Sequence, residues 1–278
     1  MTGKLALRAV DKAVCDRCKL PTCQLGNRKG WACPYGLCAS EIEENNDCGM
    51  CTECIKSCSY DNITVQVQPF AHETNIRTIS EAFLSMAMLM LAATYSVMHL
   101  GHWPWLRDYV NIFDKNNWDL FGLFAAALWL LALVVLPGLM FFGAAMARRL
   151  ARIPQNSLAL MTASAGALVP IGLMLWIAFT LQMLFVNLTF VAQSFSDPFG
   201  WGWDFFGTRS MPWHQLWPAG VPWIQAGCML VGLAYSLRNA WWIWLELAPG
   251  PRAALKGMVP LSALLLTFSG WFVWFFTS

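Results

Sequence analysis

The run Cys48-Gly49-Met50-Cys51-Thr52-Glu53-Cys54-Ile55-Lys56-Ser57-Cys58 packs four cysteines into eleven residues, with intervals of two, two and three residues between them. Loops that wrap a 4Fe–4S cube use this spacing: three thiolates on one tight loop reach three corners, and the fourth ligates a second cluster. The pattern therefore requires another set of cysteines. Upstream lies Cys15-x2-Cys18-x4-Cys23, followed after nine residues by Cys33-Pro34, the Cys-Pro step that commonly ends such a motif. The crossed rule gives Cys15, Cys18, Cys23 and Cys58 to one cluster and Cys48, Cys51, Cys54 and Cys33 to the other. Cys38 is left over and can replace Cys33 or Cys23. The residue after Cys58 is Ser59 instead of the usual proline, which loosens the turn without removing the ligand. The rival reading is a pair of four-cysteine zinc sites, but zinc is usually held by two separated Cys-x2-Cys knuckles. Four cysteines in so short a run favour iron and sulfide.

Around this run the composition is that of a membrane protein. Of 278 residues 57% are hydrophobic and 12% charged, with 16 Trp and 18 Phe, too apolar for an ordinary soluble domain. Nine of the ten cysteines precede residue 59, and no short apolar region with a small-residue cleavage site opens the chain, which argues against a secreted disulfide scaffold. A net charge of +2 with no basic run of five residues excludes a nucleic-acid binder. Residues 1–77 carry nine Lys/Arg and nine Asp/Glu, whereas 78–278 spread sixteen charges over 201 positions, placing a domain boundary near Arg77. The 1–77 domain is short for a hydrophobic core, and its longest strand-like run is Ile63-Thr64-Val65-Gln66-Val67, so a cofactor on cysteine is expected to hold it together.

Residues 78–278 contain five apolar stretches, Ile79 to Leu100, Leu120 to Ala147, Leu158 to Ala192, Val221 to about Trp244, and Met258 to Phe276, each long enough for a transmembrane helix. The third holds Pro170 and is either tilted and kinked or extends past the hydrocarbon. Arg148, Arg149 and Arg152 in the second loop, and Arg252 and Lys256 in the fourth with Arg238 nearby, mark those loops as cytoplasmic. Five crossings of the inner (cytoplasmic) membrane then leave the cysteine-rich domain in the cytoplasm, a reducing compartment that suits thiolate ligands, and the C-terminus outside. Trp103, Trp105, Trp118, Trp201, Trp203, Trp213, Trp217 and Trp223 gather near the outer helix ends, and Trp241, Trp242 and Trp244 near an inner end, as an interfacial belt does.

Other candidate sites are weaker. His99 and His102 share one helical face at the outer end of the first span, and His214 lies in the outer third loop. Together they offer a haem, metal or quinone site, although interfacial histidines are more often bonded locally. His72 has no visible partner. Cys228 stands alone in a span as a small apolar residue. No span has Asp, Glu or Lys at its centre, which disfavours a pump, and Gln182 and Asn187 read as interhelical hydrogen-bond partners. No GxSxG, HExxH, P-loop or GxGxxG motif supports stand-alone enzymatic chemistry.

The run from Asp11 through Cys15, Cys18 and Cys23, the segment Gly30-Trp31-Ala32-Cys33-Pro34, and Cys48 to Ile63 followed by Gln68-Pro69-Phe70 resemble the membrane-bound polyferredoxins of the NosR/NapH group over residues 11–75. The resemblance implies a pseudo-symmetric α+β ferredoxin-like domain carrying two 4Fe–4S clusters. It implies an electron-transfer subunit of a respiratory-type oxidoreductase complex, exchanging electrons with a quinone pool or a redox partner. Such proteins usually carry helices and a further Cys-Pro motif before this module, so the chain resembles their C-terminal part, and another subunit is expected to supply the missing half. Two alternatives stay open: an accessory factor supplying electrons for metal-cofactor assembly, and a zinc-bearing structural anchor subunit.

Overall fold

A computed structural model describes residues 5–42, 48–67, 76, 78–100 and 104–278, and the chain divides into two compact units, Met1–Thr74 and Asn75–Ser278. Arg77, where the composition changes, lies outside the described residues, as do His72, His102, Trp103 and Gln68 to Phe70.

In the first unit, strand β1 (Leu5–Ala9) leads to the one-turn helices α1 (Lys12–Asp16) and α2 (Thr22–Leu25), then α3 (Glu53–Ser57) and strand β2 (Ile63–Val67). The β-branched run 63–67 forms the expected strand, and it pairs antiparallel with β1 from Leu5↔Val67 to Ala9↔Ile63. Ala6, Leu7 and Ile63 are buried, a small apolar seam for a unit of this length. The pairing continues past the strands, where Val10 N–H donates to the Asn62 carbonyl at 2.9 Å. It thus draws the segment before Cys15 to the segment after Cys58.

The second unit is a helical bundle in which the described residues form four helical segments long and apolar enough to cross a membrane. The first, α4 (Ile79–His99), opens on a capping box in which Thr78 and Glu81 exchange side-chain and backbone hydrogen bonds. The short helices α5 (Pro104–Tyr109) and α6 (Ile112–Lys115) lead into the second span, Trp118–Ala151, made of α7 (Trp118–Leu130), a π-helical turn at Leu131–Val135 and α8 (Leu136–Ala151). Pro137 accounts for that turn, since it lacks an N–H and its ring crowds the Leu133 carbonyl one turn earlier.

The third span, Ser157–Ser196, is interrupted just before Pro170. It is broken into α9 (Ser157–Ser164) and α10 (Leu168–Ser196) by a 3-10 turn at Ala165–Ala167. The last, α12 (Pro251–Thr277), completes the four. The fourth apolar stretch of the sequence is a continuous helix, α11 (Val221–Leu247), but it is not one of the four. Gln225, Ser236 and Asn239, all buried, interrupt its apolar character.

Those polar residues join helices. Gln225 Nε2 donates to the Ala178 carbonyl (3.0 Å), Ser236 Oγ accepts from Ile171 N–H (3.1 Å), and Ser269 Oγ donates to the Met229 carbonyl (3.4 Å). The expected interhelical bonds of Gln182 and Asn187 are not found: Asn187 donates to the Met183 carbonyl of its own helix, and Gln182 has no hydrogen bond among the described residues. Small residues allow the closest approaches. A Cβ at Gly232 would lie 3.1 Å from the Ile171 Cα, and one at Gly257 would overlap the Trp244 ring, 2.3 Å from its Cε3.

The connection between α10 and α11 is folded back on α10. Trp213 Nε1 donates to the Val186 carbonyl (3.0 Å), and Thr208 Oγ1 to the Ala192 carbonyl (2.7 Å). Asp204 accepts from the Ser196 hydroxyl (2.9 Å) and the Arg209 N–H (3.2 Å), and these bonds, the backbone one first, hold its carboxyl below the usual Asp range. A carboxylate with a depressed folded pKa stabilises the fold above its unfolded pKa and stops doing so as pH falls through the folded value. The loop should therefore stay ordered down to about pH 4 and loosen below it, with Trp201 and Trp203 fluorescence as readout. A transition at about pH 6 that survives Asp204→Asn would contradict this assignment.

Candidate metal centre

All ten cysteines carry free thiols, and the nine in the first unit are set by short local structures. Asp11 caps α1 by accepting from Ala13 N–H (2.8 Å), which places Cys15 in the helix and Cys18 just beyond it. Cys23 lies on α2, whose Thr22 Oγ1 donates to the Ser57 carbonyl at the end of α3 (2.6 Å). Asn27 Nδ2 donates to the same carbonyl (2.8 Å). A Cβ at Gly30 would sit 2.8 Å from the Glu53 carbonyl oxygen, so only glycine lets this loop lie on α3.

The downstream run is coiled more tightly than ordinary residues prefer. Met50 (φ 54°) and Thr52 (φ 64°) are left-handed although neither is glycine, a conformation that costs roughly 1–3 kcal/mol at each position. The strain falls between Cys48, Cys51 and Cys54, where a loop must wrap closely. Cys54 lies within α3, and Cys58 is the residue that ends it.

Asn62 joins the two halves of the motif. Its backbone N–H donates to Cys58 Sγ (3.4 Å), and its side-chain Nδ2 donates to Cys15 Sγ (3.3 Å) and to the Asp11 carbonyl (2.7 Å). Its Oδ1 accepts from Asp11 N–H (3.0 Å). Cys58 is thus brought to Cys15, 43 positions away in the chain, by one residue. Because Asn62 is 7% exposed and fully engaged, Asn62→Ala should destabilise this unit by about 1–3 kcal/mol, checked by chemical unfolding. Unchanged stability would show that the junction is not a structural anchor.

The electrostatics of the thiols divide them the same way. Burial raises the Cys15 pKa, with Cys38, Cys58 and Cys18 adding to the rise against the opposing Asn62 bond. Burial likewise raises Cys23, with the neighbouring Cys38 and Cys58 adding to the rise and the Ala39 N–H opposing it. Cys54 is pushed up to about 11, chiefly by burial and then by Cys48 and Cys51. One neighbourhood therefore holds Cys15, Cys18, Cys23, Cys38 and Cys58, and the other Cys48, Cys51 and Cys54.

Cys33 is fixed by its N–H to the Gln24 carbonyl (2.9 Å). The next turn reaches the second neighbourhood, since a Cβ at Gly49 would fall 2.8 Å from the Tyr35 ring. Cys38, left over in the sequence, stands beside Cys23 and Cys15. Among the described residues no three His, Cys, Asp or Glu side chains are grouped closely enough to hold a single metal ion.

The donor set fits an iron–sulfur group in its chemistry. Soft sulfur donors suit iron–sulfur clusters, and N–H groups already aim at sulfur at Cys15, Cys58 and Cys48, the last from Met50 N–H at 3.5 Å. Crowded thiols with raised pKa values also need a cation to become thiolates together. Asn62 was not legible as part of the site, because an Asn before a strand reads as an ordinary turn residue.

The remaining candidates are separate. His99 stacks on Tyr95 (5.6 Å between centroids) and its Nδ1 lies 3.1 Å from the Tyr95 carbonyl, while His214 Nδ1 lies 3.1 Å from the Pro212 carbonyl. Both are engaged locally. Cys228 is half-buried on α11. Comparison with protein-family models, curated proteins and solved structures finds no match to this chain.

Proposed function

We propose that the chain is a membrane-anchored electron-transfer subunit whose N-terminal unit is a ferredoxin-like domain holding two 4Fe–4S clusters. The observation that carries the reading is the junction at Asn62, which brings Cys58 to Cys15, as the crossed spacing demands. Cys15, Cys18 and Cys58 would hold one cluster with Cys23, beside which Cys38 is the substitute. Cys48, Cys51 and Cys54 would hold the other with Cys33. Each cluster, when bound, supplies a site that gains or loses a single electron. The protein's part is to hold the thiolates, exclude bulk water and set the potential through N–H donors such as those of Asn62 and Met50.

The membrane unit is read as five spans in the inner membrane. α11 packs along both α10 and α12, and a helix lying between two spanning helices shares their surroundings. Its Gln225 and Ser236 are bonded within the bundle, so their polarity is compatible with that position. With the basic loops at Arg148 to Arg152 and Arg252 to Lys256 inside, the iron–sulfur domain is cytoplasmic and Ser278 is outside. A fluorescent-protein fusion at Ser278 that lights only in the cytoplasm would reverse that orientation.

The complex implied is a respiratory-type one, in which other membrane and redox subunits accept or supply the electrons. The test is reduction of the purified full chain under anaerobic conditions, followed by electron paramagnetic resonance. Two interacting reduced clusters are expected. A chain that binds zinc and no iron would overturn the reading in favour of a structural anchor.

A further inference from the structure

The loop between Cys23 and Cys33 has a surface that the cluster-holding reading does not use. It is rigid: Asn27 N–H donates to the Gly30 carbonyl (2.8 Å), Asn27 Oδ1 accepts from the N–H groups of Lys29 (2.8 Å) and Gly30 (3.2 Å), and Trp31 N–H donates to Glu53 Oε2 (3.1 Å). At its tip stand Arg28 and Lys29, both exposed, with no side-chain partner among the described residues. The carboxylate that touches this loop, Glu53, is paired with Lys56 Nζ at 2.5 Å and makes no ion pair with either cation among the described residues. Next to them Trp31 is 80% exposed, and Leu25 to Ala32 line an open cleft of about 440 Å³.

A fixed basic tip beside an exposed Trp is the composition of a docking face, with an aromatic anchor for affinity and cations for steering an acidic surface. The loop also joins two of the cysteines, so a molecule seated on it lies a few residues of backbone from the proposed ligands Cys23 and Cys33. We propose that the Leu25 to Ala32 loop is where an acidic redox protein docks and exchanges electrons with the cysteine-held centre. This rests on the electron-transfer reading above. In each encounter one electron passes, the donor being oxidised and the acceptor reduced by one, with no proton or bond transferred.

The test uses the full chain in neutral-lipid nanodiscs and two small one-electron oxidants of opposite charge, hexacyanoferrate(III) and tris(phenanthroline)cobalt(III). After reduction with dithionite and its removal, the Arg28→Glu/Lys29→Glu variant should be oxidised by the anion about tenfold more slowly than the wild type at low salt. Oxidation by the cation should be faster by a similar factor, and both differences should vanish near roughly 0.5 M salt. Equal rates in the Arg28/Lys29 variant and wild type, with iron and sulfide intact, would overturn the docking face while leaving electron transfer standing. A difference seen only in nanodiscs containing anionic lipid would overturn it in favour of a loop lying on the bilayer. A wild-type chain without iron or sulfide would fail the electron-transfer reading itself.

Discussion

A chain carrying Cys58→Ala should keep about four iron and four sulfide in place of about eight, and the cluster it loses should be the one shared with Cys15, not the one beside it in sequence. Asn62 donates through its backbone to Cys58 and through its side chain to Cys15, so the two sulfurs belong to one neighbourhood. Cys51 and Cys48 instead act on Cys54. A double-variant cycle reads this directly. Cys15→Ala with Cys58→Ala should strip no more iron than either single change, whereas Cys51→Ala with Cys58→Ala should strip nearly all. The effect on stability should also be large, because metal-binding energy in so small a unit is folding energy. Additive loss in the first pair, with none in the second, would invert the ligand assignment.

In the membrane unit a large effect is expected from Gly257→Leu. The site is closed by Trp244, which is 1% exposed and lies where a side chain at 257 would go, so neither residue can move aside. Overpacking of this kind costs about 1–3 kcal/mol and occasionally more, and the overlap here places the change at the upper end. The measurement is the thermal midpoint of the full chain in detergent. Gly270→Leu is the control, since a Cβ there meets nothing within 4 Å, and it should cost little. Trp244→Ala alone should cost about 3–5 kcal/mol, but it opens the space that the larger side chain at position 257 needs, so the double variant should be more stable than the sum of the two predicts. Equal effects at Gly257 and Gly270 would show that α11 and α12 do not meet as described.

What the sequence disclosed follows from the kind of signal each element carries. Long apolar runs persist whatever packs against them, so α4, α11 and the outlines of the second and third spans were legible to within a few residues, whereas α12 begins at Pro251, a turn and more before the expected Met258. β1 was not: Leu5-Ala6-Leu7-Arg8-Ala9 is made of helix-favouring residues and becomes a strand because Ile63 to Val67 is there to pair with it. Pro170 left a kink in the third span as one of two alternatives, and the 3-10 turn at Ala165–Ala167 that breaks the helix there had no signal of its own in the sequence. The polar contacts were misplaced for a similar reason. Gln182 and Asn187 looked suitable for bridging helices, yet Asn187 bonds within its own helix, and Gln225, Ser236 and Ser269 make the bridging bonds. At the cysteines, spacing alone paired Cys58 with the upstream set, and it left Cys38 without a place. Only the fold sets Cys38 beside Cys23 and Cys15.

The central claim is that eight of the nine N-terminal thiols hold two clusters, and the most direct measurement is iron and acid-labile sulfide per chain in protein extracted anaerobically from membranes. The account predicts about eight of each. About four would restrict it to one cluster and take the Cys15 to Cys38 region out of the electron path. Almost none of either, with zinc bound instead, would contradict it outright.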